Sequence, residues 1–189
     1  MIKDFLIIDN ALDNIDELVK LSNSVDYFSA EKTLMEGINL TTSTDTPTGL
    51  WRGYRSHLLS HINKCLFLKT ANSMMYDIFK MENYTYNTSC YFNKMPKLNG
   101  VKDTDWWHVD NCLFAGVVYM TESPEKNSGT LLNINNDIVE VENVYNRLVI
   151  YKSSIMHRPQ NTFGDNIYNC RSTLSFFIED ITFSKKFED

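Results

Sequence analysis

The sequence predicts a mainly β fold with N-terminal helices, built as a jelly roll of two packed sheets. Short runs rich in β-branched and aromatic residues follow one another after Asn83: YTYNTSCYF, DWWHVD, LFAGVVYMT, GTLLNI, DIVEVENV, RLVIYKS and RSTLSFFIE. Turn-rich pieces such as KMPKLNGVKDT, ESPEKNSG and QNTFGDNIYN punctuate them, the pattern of a sandwich or barrel. Before Asn83 the apolar residues recur instead at helical spacing.

Each element follows from its local pattern. Phe5 to Asp9 read as a strand. A helix opens near Asp13–Asn14, where Leu12, Ile15, Leu18 and Val19 make one apolar stripe. Asn14 with Glu17 three residues on has the form of a capping box. The run TTSTDTPTG from Thr41 to Gly49 has turn-forming composition and reads as a surface loop. A second helix is expected between His61 and Lys80, with Phe67, Ala71, Met74, Met75, Ile78 and Phe79 on its core face. No repeat, low-complexity tract or linker divides the chain. The 189 residues are therefore expected to form a single domain, within the usual ~100–200 residues. Residues 1–82 would supply a strand and helices packed on a β core of residues 83–182. A hydrophobic content of 43% is enough for a sizeable core and excludes disorder.

Charge narrows the partners. Lys and Arg number 18 against 24 Asp and Glu, a net charge of −6, and no dense basic cluster occurs. Nucleic acid is thus a poor partner, since phosphate neutralisation supplies most of such affinity. No apolar stretch reaches the ~18–20 residues of a membrane span. The acid-rich N-terminus suits no secretory signal, so a cytoplasmic protein with no membrane partner is expected. The four cysteines, Cys65, Cys90, Cys112 and Cys170, form no C-x-x-C pair and read as reduced, mostly structural thiols.

Chemistry centres on two of the four histidines. In His108-Val109-Asp110 an imidazole and a carboxylate stand at i and i+2, on one face of a strand with Cα atoms roughly 6.5 Å apart. Both can reach one divalent ion. His157 follows the apolar run RLVIYKS, where a neighbouring strand could bring it opposite the pair. Two histidines and one carboxylate leave three positions of an octahedral metal open, the facial triad of non-haem Fe(II) oxygenases. The bland alternative stands beside it: His-x-Asp arises often by chance, and a hydrogen-bonded His–Asp pair is equally a structural device.

The last strand adds a cation. Arg171, Thr173 and Ser175 share one face while Leu174, Phe176 and Ile178 line the other. A guanidinium pointed into the barrel needs an anionic partner. A dicarboxylate would serve, gripped bidentately by Arg171 with a hydroxyl from Thr173. The ordinary alternative is a strand-end arginine that reaches solvent or a local acid.

Taken in order, His108-x-Asp110, His157 and Arg171-x-Thr173 resemble the Fe(II)/2-oxoglutarate-dependent dioxygenase superfamily, nearest its prolyl 4-hydroxylase-like branch. The resemblance spans Tyr84 to Asp180 and extends more weakly to FLIIDNALDNIDELV. Ser128-Gly129-Thr130-Leu131 resembles the small-residue turn that precedes a strand after the first two ligands. Arg147 to Tyr151 resembles the strand that leads to the distal histidine.

That resemblance implies a double-stranded β-helix. It implies Fe(II) held by His108, Asp110 and His157 as the catalytic centre, and 2-oxoglutarate held at its distal carboxylate by Arg171 with Thr173. Tyr91 and Tyr119 are both candidates for a tyrosine sharing that carboxylate. The implied activity is hydroxylation of a peptide side chain or a small amino-acid-like substrate with O2, releasing succinate and CO2. The intact Asp110 argues against the halogenase variant. Ser-Thr-Leu-Ser-Phe-Phe after Arg171 lacks the second arginine of the nucleic-acid demethylase branch.

Two further readings stay open. A zinc hydrolase could use the same His/Asp/His ligands but leaves Arg171 unexplained. A non-catalytic jelly-roll binding or structural module would need none of them. Substrate contacts are expected from Trp106, Trp107 and the loop Asn93 to Asp105, and from a second lid over Thr41 to Arg55. In that second segment Arg52 and Arg55 beside Trp51 suit an acidic or carboxylate-bearing substrate. The ordinary account of it is a surface loop with one anchoring aromatic.

Overall fold

Strands β1 (Phe5–Ile8), β2 (Phe28–Ser29), β3 (Tyr54–Leu58), β4 (Tyr84–Met95), β5 (Phe114–Tyr119), β8 (Leu148–Lys152) and β10 (Arg171–Phe183) form a seven-stranded sheet in the order β1-β8-β5-β10-β4-β3-β2. A second sheet of three strands runs β7 (Asp137–Val141), β6 (Thr130–Ile134), β9 (Met156–Pro159). All the pairings are antiparallel. Helices α1 (Ile15–Ser22), α2 (Leu59–Ile62) and α3 (Lys64–Phe79) complete the described elements. This computed structural model describes residues 4–30, 51–79, 84–97 and 106–183.

Period-two patterning gives the large sheet two different faces. On β10 the residues Leu174, Phe176 and Ile178 join Cys90 and Phe92 of β4, Val118 of β5 and Leu148 and Ile150 of β8 in one core. Helices α1 and α3 cover that face through Leu18, Leu66, Met74, Met75 and Ile78. Each fully buried Leu or Phe there is worth ~1.5–3 kcal/mol. The opposite face carries Tyr91, Ala115, Tyr119, Val149, Tyr151 and Phe177, packed on Leu132 and Val141 of the small sheet. The jelly roll therefore exists as expected, and its site-bearing side is the face turned to the small sheet.

Several local expectations are corrected. Asn14 sits at the N-cap of α1 without a capping hydrogen bond. Its buried amide donates instead to Thr70 Oγ1 of α3 at 2.8 Å, so a tie between helices displaces the capping box. The helix expected from His61 to Lys80 is two pieces. Asn63 is extended (φ −151°, ψ 93°) and its Oδ1 accepts the Leu66 N–H at 3.0 Å, which starts α3 anew.

The N-terminal part does more than pack on the β core, since β1 pairs with β8 and β3 with β4. Asn93 to Met95 are strand rather than loop, paired with Thr173 to Arg171. Tyr54 and Arg55 likewise belong to β3. Of DWWHVD, the described residues Trp106 to Asp110 form no regular strand, and among them only His108 makes a bridge, to His157. The loop Thr41–Gly49 and the segment 98–105 lie outside the described residues.

Candidate functional site

The bridge brings the two histidines together. His108 N–H donates to the His157 carbonyl at 3.1 Å and His157 N–H to the His108 carbonyl at 2.9 Å. Strand β9 carries His157 against Leu132 of β6. Two residues past His108 the chain is pinned again, as Asp110 N–H donates to the Ser153 carbonyl at 3.0 Å. One ligand atom from each of His108, Asp110 and His157 lies within 4.8 Å of the others. The expected convergence is present, although irregular chain pinned at Ser153, rather than a strand face, positions Asp110.

Protonation follows from the carbonyls behind the rings. His108 Nδ1 lies 3.1 Å from the Trp106 carbonyl and His157 Nδ1 lies 2.9 Å from the Ile155 carbonyl. A carbonyl only accepts, so each Nδ1 carries a proton and Nε2 is the ring atom left to face the site. Burial, with the neighbouring His157 second, pushes the His108 imidazole down to about 4 against the opposing pull of Asp110. His157 Nε2 faces Asp110 Oδ2 at 3.2 Å, both side chains nearly buried. A ring nitrogen and a carboxylate oxygen at that distance call for a cation between them, a proton or a metal. The donor set of two imidazoles and one carboxylate suits Fe(II).

Arg171 sits in the same cavity, only 3% exposed. Its Nε donates to the Ser128 carbonyl at 2.8 Å. One terminal nitrogen lies 3.4 Å from both the Gly129 carbonyl and Thr130 Oγ1, and the other 3.5 Å from Met95 Sδ. Its Cζ stands 5.5 Å from the centroid of the Tyr119 ring. Among the described residues no carboxylate stands at ion-pair distance from it. Burial accordingly lowers its pKa, with no acid among the causes. A buried guanidinium met only by neutral groups keeps an affinity for an anion.

The cavity is about 110 Å³, and Arg171, Thr173, Ser175 and Phe177 line it in alternation along β10. Tyr151 adds its ring 4.5 Å from that of His157, its hydroxyl kept protonated by burial and by the charge of Asp110. Of the two tyrosine candidates, Tyr119 lies under Arg171 and donates to Thr130 Oγ1 at 2.7 Å. Tyr91 lies instead under Arg55, 5.0 Å from Cζ to centroid. Trp51, Arg52, Arg55 and Trp106 all line the cavity, while Trp107 packs under Arg158. Asn93 is a wall residue that the sequence singled out only as the start of a loop. It donates to Ser175 Oγ at 2.5 Å and accepts from Arg55 Nε at 3.4 Å.

No protein-family model matches the chain, and no curated protein matches it in sequence. Its structure superimposes on a prolyl hydroxylase from Trichoplax adhaerens in complex with a hypoxia inducible factor oxygen degradation domain peptide fragment. That match has a TM-score of 0.62 at 16% identity, over 94% of this chain and 84% of that one.

The fold is that of the 2OG-Fe(II) oxygenases.

A 2OG-Fe(II) oxygenase family oxidoreductase from Burkholderia pseudomallei gives a TM-score of 0.60 at 12% identity, over 93% and 85% of the two chains. An oxygenase from Shewanella oneidensis, described as a candidate one, gives 0.55 at 10% identity, over 97% and 85%. The double-stranded β-helix expected of the sequence, with its prolyl-hydroxylase-like architecture, is thereby the observed fold. No helix among the described residues is long and apolar enough to cross a membrane.

Proposed function

We propose that the chain is an Fe(II)- and 2-oxoglutarate-dependent dioxygenase that hydroxylates a peptide side chain or a small amino-acid-like substrate. The supporting observation is the sharing of one cavity by the His108/Asp110/His157 donor set and an Arg171 that has no acid beside it among the described residues. The reading takes residues 1–189 as one domain with the β core at 83–182, acting in the cytoplasm.

In this reading Nε2 of His108, Nε2 of His157 and the Asp110 carboxylate hold the ion. Arg171 receives the far carboxylate of 2-oxoglutarate, with Thr173 beside it and the Tyr119 ring beneath the guanidinium. When bound, iron and 2-oxoglutarate with O2 supply the oxidation, releasing succinate and CO2. The chain contributes binding, orientation and a dry wall of Val117, Tyr151 and Phe177. The peptide in the Trichoplax adhaerens complex supports a peptide-like substrate. A zinc hydrolase would have no use for Arg171.

The test is stoichiometric. The purified chain supplied with Fe(II), 2-oxoglutarate and O2 is expected to consume 2-oxoglutarate and form succinate one for one. Zinc binding with no succinate formed would overturn the reading.

A further inference from the structure

Tyr119 and Tyr151 stand on the same face of the large sheet, both buried, at 0% and 3% exposure. Register puts them at opposite ends of that face. Tyr119 lies opposite Thr173, in the row nearest Arg171. Tyr151 lies opposite Ala115, and Ala115 opposite Phe177. The two rows are about 13 Å apart along β5. Tyr119 is thus the tyrosine of the guanidinium. Tyr151, with its ring 4.5 Å from that of His157, is the tyrosine of the donor set.

Their hydroxyls differ in a second way. That of Tyr119 donates to Thr130 Oγ1 at 2.7 Å. Tyr151 also lines the cavity, yet its hydroxyl has no hydrogen-bond partner among the described residues. The ring is held in one buried cluster with Ala115, Val149 and Phe177, so it is not free to swing out to solvent. Asp110 acts on the hydroxyl more strongly than Arg171 does, as befits a group at the metal end.

Packing alone gives no reason for the oxygen, since a phenylalanine ring would fill the same space. A phenol is a hydrogen-bond donor, and a buried donor without an acceptor costs the free chain stability until a ligand oxygen meets it. A neutral donor also suits this end of the cavity, because it can hold a ligand oxygen without setting a second cation beside the ion.

We propose that the Tyr151 hydroxyl donates a hydrogen bond to the metal-side end of 2-oxoglutarate, so that the co-substrate is held at both ends, by Arg171 at one and by Tyr151 at the other. This rests on the oxygenase reading and adds a binding residue to it.

The experiment is calorimetric and uses the full chain loaded with Mn(II), a redox-inert stand-in for Fe(II). The probes are 2-oxoglutarate and oxalate, a two-carbon dianion that chelates a metal but has no far carboxylate for Arg171. Tyr151→Phe is expected to weaken both by about tenfold, the loss of one hydrogen bond to a charged group, with Mn(II) affinity unchanged. Arg171→Met should weaken 2-oxoglutarate alone. Without ligand, Tyr151→Phe should unfold at the same or a higher urea concentration, since the oxygen it loses has no partner there.

No oxalate bound by the wild-type chain, oxalate bound equally by Tyr151→Phe, or a loss confined to 2-oxoglutarate would each overturn the assignment of Tyr151 alone. So would a Tyr151→Phe chain that is strongly destabilised or unfolded, because the hydroxyl would then serve the fold. If the wild-type chain fails to bind Mn(II) and 2-oxoglutarate at all, the oxygenase reading falls and takes this inference with it.

Discussion

His108 and His157 exchange both main-chain hydrogen bonds of one antiparallel bridge, and this sets their rings 4.2 Å apart, centroid to centroid. The backbone, not the side chains, thus fixes the spacing of two candidate ligands that lie far apart in sequence. Each ring is then turned by a carbonyl behind it, so the Nε2 atoms are oriented before any ion arrives. Such preorganisation is what a weakly held ion requires.

Metal affinity should depend steeply on Asp110. Replacing it by Ala removes the only charged member of the donor set. Since loss of an outer hydrogen-bond partner alone costs ~10–100-fold, Asp110→Ala should weaken Mn(II) binding by about two orders of magnitude. Calorimetric titration measures it, and an unchanged affinity would remove Asp110 from the donor set.

Arg171 should trade stability for binding. Arg171→Met deletes a charge that is buried among neutral groups, so the ligand-free chain should unfold at equal or higher urea concentration. The same variant should bind 2-oxoglutarate about 10–100-fold more weakly, as expected for lost charge-assisted bonds, with Mn(II) binding unchanged. A large loss of stability with no change in 2-oxoglutarate affinity would make Arg171 structural.

The Asn14–Thr70 bond should couple α1 to α3. Either Asn14→Ala or Thr70→Ala strands a buried polar partner, costing ~1–3 kcal/mol. The double variant should cost less than the sum of the two, by roughly 0.5–3 kcal/mol. Strict additivity in urea denaturation would contradict the bond. Asn14→Ser, a good N-cap, should not restore stability, because the side chain serves the other helix.

Gly129 should tolerate no side chain. A Cβ there would stand 1.8 Å from the Val141 carbonyl oxygen, so the start of β6 must move. Its own carbonyl and that of Ser128 accept from Arg171. Gly129→Ala should therefore destabilise by ~1–3 kcal/mol and also weaken 2-oxoglutarate binding, both readable in one thermal-shift series with and without ligand.

Much of this site is legible in sequence because its parts are short-range patterns. Alternation along β10 separates the Arg171, Thr173 and Ser175 face from the apolar one, and the structure keeps that division. His-x-Asp is legible for the same reason, although His108 sits in a single bridge and Asp110 in irregular chain pinned by Ser153 rather than on a strand.

What escaped is what depends on distant pairing. Asn93 became a wall residue only because β4 lies between β3 and β10. Tyr91 and Tyr119 are equivalent in sequence, and only register decides which ring lies under Arg171 and which under Arg55. Asn14 misled because an amide that can cap its own helix can also bond across to another.

The most direct test of the metal-and-dicarboxylate centre is anaerobic visible absorption during titration of Fe(II)-loaded chain with 2-oxoglutarate. The account predicts a charge-transfer band that needs both components, saturates at one equivalent and is lost in His157→Ala. No band in the wild-type chain, or an equal one in His157→Ala, would contradict it.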